Sequence, residues 1–196
     1  MVARDFGFAP NPFFGFCTLA TCKPKIRETA QIDDWVIGTG SKTRKRDGHV
    51  VFAMRVTETL SFDEYWRDSR FLEKRPNLHG SKKQAFGDNI YRRDGKGRWR
   101  QVDSHHSLPD GSPNPRNVEH DTQTNRMLVS EDFVYWGGQG PRIPKRLRNF
   151  HGLDVCGLRG HKNKLPPDMV AEVIKWIRET GDMGFCGMPL DWKGSP

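Results

Sequence analysis

Between residues 8 and 16 the chain reads Phe8-Ala-Pro-Asn-Pro-Phe-Phe-Gly-Phe16, and this stretch restricts the fold more than any other. Two prolines around Asn11 exclude a regular helix, since each fixes φ and removes a backbone donor. Pro24 disfavours the helical region for Lys23 and is expected to keep it extended. The predicted outcome is an ordered, irregular arm lying over the surface and forming a pocket wall, with Asn11, Phe13 and Phe14 presented to solvent.

Beyond the arm the pattern is mostly β. Trp35-Val-Ile-Gly38 and His49-Val-Val-Phe-Ala-Met-Arg-Val-Thr57 are rich in β-branched and aromatic residues and flank a polar turn, which predicts a hairpin. Ser61 followed three residues later by Glu64 predicts a capping box and a short helix over 62–68. Asp94-Gly-Lys-Gly97 between Asn89–Arg93 and Arg98–Val102 predicts a second hairpin. The stretch 103–124, with Pro109, Pro113 and Pro115, reads as a long functional loop. Strands are expected at 127–130 and 132–136. Pro167 at a first helical position, with Met169, Val170, Val173, Ile174 and Ile177 on one stripe, predicts an amphipathic helix to about Thr180. The tail with Phe185, Met188 and Trp192 is expected to pack back as a strap.

The chain of 196 residues is long enough to bury one sizeable core, and a single domain over 1–196 is expected. The 12 Phe and 6 Trp must fill much of that core. No apolar run approaches the roughly 20 residues that span a bilayer, so no membrane partner and a cytoplasmic location are expected. Cys17, Cys22, Cys156 and Cys186 form neither a CxxC pair nor a dense disulfide framework, which points to free thiols. On an extended segment Cys17 and Cys22 would face opposite ways.

Net charge is +8, from 32 Lys and Arg against 24 Asp and Glu. The excess is clustered at Lys42, Arg44, Lys45 and Arg46, again at Arg92, Arg93, Lys96, Arg98 and Arg100, and again at Arg142, Lys145, Arg146 and Arg148. Such clusters neutralise phosphates. Lys23, Arg27, Lys42, Arg44, Arg46, Arg142 and Arg146 are the phosphate candidates. A base pocket needs flat faces and edge contacts. Asn11, Phe13, Phe14, Trp35, Tyr135 and Trp136, with Thr39 and Ser41 beside Gly38 and Gly40, are the ligand candidates, and Tyr65 and Trp66 offer further faces.

A second chemistry competes. His105, His106, Ser107, His120 and Asp121 lie within 17 positions and could hold a His–Asp acid/base pair, a metal or a hydrogen-bonded loop. Ser107 beside His106 is no triad, because sequence neighbours seldom meet in the required geometry.

Lys23-Pro-Lys-Ile-Arg-Glu-Thr29 followed by Ile32-Asp-Asp-Trp-Val-Ile-Gly38 resembles the corresponding segment of ASCH-type domains of the PUA-like superfamily. The Asn-Pro arm, Gly38-Thr-Gly-Ser41, His106-Ser107, Asp121-Thr122 and Phe133-Val-Tyr-Trp-Gly137 resemble a narrower family, the type 2 nucleotide modification associated domain, over about residues 6 to 150. The resemblance implies an α+β fold around a twisted, partly closed PUA-like β-barrel flanked by the C-terminal helix. It also implies recognition of a nucleotide or modified base, in DNA or RNA, within a base-modification or phage-conflict system. The alternative it implies is a hydrolase acting on a modified base, with Lys23, Glu28 and Thr29, or His106, His120 and Asp121, as catalytic candidates. Pro24 and the order Arg27-Glu28 depart from the ASCH pattern. No cofactor is expected, and the oligomeric state is open.

The scattered cysteines and poor histidine spacing predict purified protein without stoichiometric zinc or iron. Elemental analysis finding about one metal per chain, lost in His106→Ala, would overturn this.

Overall fold

The computed structural model describes residues 1–156 and 160–192. In chain order its elements are β1 (Cys17–Leu19), α1 (Pro24–Thr29), β2 (Trp35–Thr39), β3 (Val50–Arg55), β4 (Glu58–Leu60), α2 (Phe62–Arg67), α3 (Lys82–Ala85), β5 (Tyr91–Arg93), β6 (Trp99–Gln101), α4 (Pro115–Asp121), β7 (Met127–Ser130), β8 (Asp132–Tyr135), α5 (Lys145–Arg148), α6 (Pro167–Glu179) and β9 (Gly184–Phe185). The fold is mixed α+β. The strands form separate sheets ordered β1-β7-β4, β2-β3-β8-β9 and β5-β6, with no closed barrel among the described residues. A partly closed barrel was expected. Strands of two to six residues divided among three separate sheets do not close one.

The chain divides into two compact units, one of Met1–Asp5, Trp35–Met54 and Phe133 onward, the other of Phe6–Asp34 and Arg55–Asp132. In the first, Val50, Ala53, Val134, Trp136, Ile143 and Leu147 pack with Val173 and Ile177 of α6. The helix stripe predicted from sequence is thus the face that is buried. The predicted strap is realised as β9, which pairs in parallel with β8.

In the second unit, β7 is the central strand, antiparallel to β1 and β4. The β5–β6 hairpin forms as predicted, with Tyr91 opposite Gln101. The Ser61 capping box is present in full, and α2 buries Phe62 and Tyr65. These join Phe8, Phe71, Ile90, Tyr91, Met127 and Val129 in an aromatic-rich core.

Several local expectations are corrected. Residues 24–29 are helical, because proline at the first helical position costs no hydrogen bond. Lys23 meets the restriction before proline by a left-handed turn, φ 44° and ψ 47°, instead of extension. The 103–124 stretch contains α4, opened by the Asn114 side chain accepting from the Arg116 amide.

The Asn-Pro arm is ordered, yet it lies inside. Asn11 and Phe13 are 0% and 2% exposed, while Phe14 is half-buried in a left-handed conformation. The cause is Lys74, itself wholly buried. Its ammonium donates to Asn11 Oδ1 at 2.7 Å, to the Asn11 carbonyl at 3.1 Å and to the Phe16 carbonyl at 3.0 Å. Asn11 Nδ2 donates to the Phe86 carbonyl at 2.9 Å. Asp88, also buried, supplies the opposing charge and accepts from the hydroxyls of Tyr65 and Thr18, both at 2.7 Å. Burial lowers Lys74 to about 8 against the opposing pull of Asp88, and burial raises Asp88. The arm is therefore clamped by a buried charge that depends on its carbonyls.

Lys74→Met would leave three acceptors and Asp88 without their cation, a loss of about 3 to 5 kcal/mol. Asn11→Ala is likewise expected to destabilise. Urea unfolding checks this, with exposed Glu73→Ala expected within about 0.5 kcal/mol of the parent. Equal stability of Lys74→Met and Glu73→Ala would refute the clamp.

Candidate functional site

The second unit brings together three chemically active side chains from distant points of the sequence. Cys22 Sγ lies 3.6 Å from His106 Nε2, and His106 Nδ1 lies 2.8 Å from Asp121 Oδ2. Cys22 sits in the turn between β1 and α1, His106 in the 104–107 turn, and Asp121 at the end of α4. Cys22 and His106 are partly exposed, and Asp121 is not exposed at all.

Each position is held by local structure. Leaving β1 and entering α1 within four residues requires two consecutive left-handed residues, Cys22 at φ 55° and Lys23 at φ 44°. Such backbone is costly outside glycine and persists only where the surrounding structure holds it. Arg27 holds the turn closed. It is 0% exposed and donates through Nε to the Cys22 carbonyl at 2.8 Å, and through its other nitrogens to the carbonyls of Asp121, Arg126 and Thr124. Burial lowers its pKa, with Asp121 pulling the other way. The 104–107 turn is closed by Ser104, Ser107 and Asn117, whose amide donates to the His106 carbonyl at 2.8 Å. The ring of Phe8 packs against the His106 imidazole at 4.6 Å between centroids.

The Asp121 carboxylate accepts from the Cys22 amide at 2.7 Å, the Tyr91 hydroxyl at 2.9 Å and the His106 ring. A buried carboxylate with three donors has its hydrogen-bonding capacity satisfied. Burial alone would lower His106, but its bonds to Asp121 and Cys22 prevail and raise it from 6.5 to about 9. The ring is thus an imidazolium near neutral pH, held between a carboxylate and a thiol.

One donor atom from each of the three residues lies within 4.8 Å of the others, so a metal must be weighed. Asp121 and Cys22, however, meet opposite nitrogens of the same ring. An ion between Cys22 and Nε2 would have Asp121 behind the imidazole and only two protein donors, short of the three of a catalytic zinc. The arrangement fits a thiol, an imidazole and an orienting carboxylate better.

The remaining candidates are dispersed. Arg27 is enclosed by carbonyls and so is unsuited to a phosphate. Lys23, Glu28 and Thr29 are exposed; Glu28 pairs with Lys25 at 2.8 Å and Thr29 bonds back to the Lys25 carbonyl. His120 is exposed beside Asp121. In the first unit Tyr135 is buried with its hydroxyl on Asp5, and Trp136 is buried with Nε1 donating to Asp182 at 2.7 Å. Trp35 is half-buried beneath the Arg178 guanidinium. Thr39 and Ser41 are buried. Gly38 leaves room for the Phe52 ring, 2.1 Å from where a Cβ would stand, and Gly40 for the Arg46 backbone. Their bareness therefore serves packing, where edge contacts to a ligand were expected. Lys42, Arg142 and Arg146 are exposed; Arg44 pairs with Asp191 and Arg46 donates to the Gly140 carbonyl. Cys22 and Tyr91 were missed from sequence. The signal was Cys22 directly before Lys23-Pro24, where a turn is forced.

The three side chains stand in the order thiol, imidazole, carboxylate, with the carboxylate buried and the thiol partly exposed. The chain itself belongs to the nucleotide modification associated domain 2 family, whose model matches residues 1–196. Its role accordingly lies with a base-modification system. The search of curated proteins and the search of solved structures each returned no match.

A histidine raised above 6.5 stabilises the fold fully below that pH, and the contribution fades as pH rises through about 9. The stability gap between parent and His106→Ala should thus narrow between pH 6.5 and 9.5, measured by urea unfolding. A gap constant with pH would contradict the ion-paired imidazolium.

Proposed function

We propose that this protein is a thiol-dependent hydrolase acting on a modified nucleobase or nucleotide. The observation that carries the reading is the Cys22–His106–Asp121 line, 3.6 Å and 2.8 Å in its two links. Cys22 as thiolate attacks an acyl or amide carbon of the modification, forming an S–C bond. The C–N or C–O bond to the leaving group breaks, and His106 gives its proton to that group. Water then attacks the thioester, His106 takes its proton, the S–C bond breaks, and the carboxylic acid departs with the starting thiolate and imidazolium restored. Asp121 touches no substrate and keeps the imidazole in one orientation.

Exposed Lys42, Arg142 and Arg146 support phosphate binding in the first unit, where the Arg142 segment bridges His49 beside the 42–46 cluster. A pure reader of modified bases is less well supported, since Asn11 and Phe13, the pocket wall it would need, are buried by Lys74. The PUA-like ancestry and a part in phage conflict rest on resemblance alone.

Incubation with acylated and amidated nucleosides and nucleotides, followed by mass spectrometry, tests the reading. Product should form with the parent protein and fall at least 100-fold in Cys22→Ala and His106→Ala, with a smaller loss in Asp121→Asn. Unchanged turnover in Cys22→Ala would end the proposal, as would a panel that yields no product while the same ligands bind and shift the melting temperature.

A further inference from the structure

The basic charge is concentrated on one stretch, from which the site draws only Tyr91. Residues 66–100 contain eleven Lys and Arg against four Asp and Glu, a net +7 of the chain's +8. Within it, the β5–β6 register sets Arg92 directly opposite Arg100. Like charges across a strand pair are destabilising unless something neutralises them. Asp94 serves Arg98 and Arg100 together. Among the described residues no carboxylate forms an ion pair with Arg75, Arg92 or Arg93.

These three arginines lie on tryptophans instead. Arg75 and Arg92 stand over the Trp66 ring at 4.0 Å and 5.2 Å, and Arg93 over Trp99 at 4.7 Å. Nε of both Arg75 and Arg92 is buried without a hydrogen-bond partner. Stacking fixes a guanidinium while leaving its outer nitrogens able to meet a phosphate, although in Arg75 one of them already donates to the Trp66 carbonyl. A row of stacked guanidinium groups with interleaved indoles is the surface that tracks a nucleic-acid strand, phosphate by phosphate and base by base. An acidic peptide would match the charge but gain nothing from the indoles.

We infer that the side of the β5–β6 ribbon that carries Arg92 and Arg100, with Arg75 beside Arg92 over Trp66, binds the backbone of a single nucleic-acid strand, so that the modified base is met within a polymer and not as a free nucleotide. The inference deepens the function proposed above and rests on it only for the word base; binding by this face does not require Cys22. The same ribbon serves the site, since Tyr91, one residue before Arg92, holds Asp121.

The test is fluorescence anisotropy with an unmodified 12-nucleotide DNA or RNA strand, with mononucleotide and polyglutamate as competitors, over a series of salt concentrations. The parent should prefer the strand to the mononucleotide by at least tenfold, with affinity falling steeply as salt rises. Arg92→Glu/Arg100→Glu should weaken binding at least tenfold and flatten the salt dependence. Lys164→Glu/Lys175→Glu, the same change of net charge at exposed sites elsewhere, should change it less than about twofold. Circular dichroism checks folding, and Arg92→Gln/Arg100→Gln replaces the reversal variant if that one unfolds. Equal losses in both double variants, polyglutamate competing as well as the strand, or mononucleotide binding as tightly would each overturn the inference. Cys22→Ala should bind the strand like the parent, so loss of turnover with intact binding separates this surface from the hydrolase reading.

Discussion

The site of the second unit depends on one buried carboxylate. Asp121 accepts from the Cys22 amide, the Tyr91 hydroxyl and the His106 ring, and so joins the β1–α1 turn, β5 and the 104–107 turn at a single point. A charge without solvent is tolerable only when its lone pairs are used, and here the donors come from three separate segments. The same bonds that make Asp121 affordable to bury fix where Cys22 and His106 stand. Its stability role and its orienting role cannot be separated chemically, because both are the same hydrogen bonds.

A second buried ion works by the same rule on the other side of β1. Lys74 needs oxygen atoms, and it finds them in the Asn11 side chain, in the Phe16 carbonyl and in the Asn11 carbonyl, which also accepts from the Thr18 amide. Irregular backbone and buried ammonium satisfy one another. This explains how a segment lacking secondary structure can be as buried as a strand, and why Asn11 and Phe13 belong to the interior.

What could be read from sequence divides along this line. The Ser61 capping box, the Asp94–Gly97 hairpin and the α6 stripe are local patterns whose partners lie within a few residues, and each was legible. The fate of the Asn-Pro arm was set by Lys74, 63 residues away, and the turn at Cys22 by Asp121, 99 residues away. Periodicity carries no information about such pairings. His106 and Asp121 could be singled out by residue type and nearness, but the thiol that completes the set lies 84 residues before His106. Lys23 and Arg27 were read as cations for phosphate because charge is visible in a sequence and enclosure is not.

Arg27 shows how the strained turn is sustained. Two left-handed residues in succession cost on the order of 1 to 3 kcal/mol each, and the chain would relax if the Cys22 carbonyl were released. A guanidinium has donors on three nitrogens in a rigid plane, and here they reach four carbonyls, two of which belong to Cys22 and Asp121 themselves. Lysine could not replace it, since one ammonium cannot span acceptors set that far apart. The cation therefore holds Cys22 and Asp121 in register through their backbones, leaving both side chains to face the imidazole.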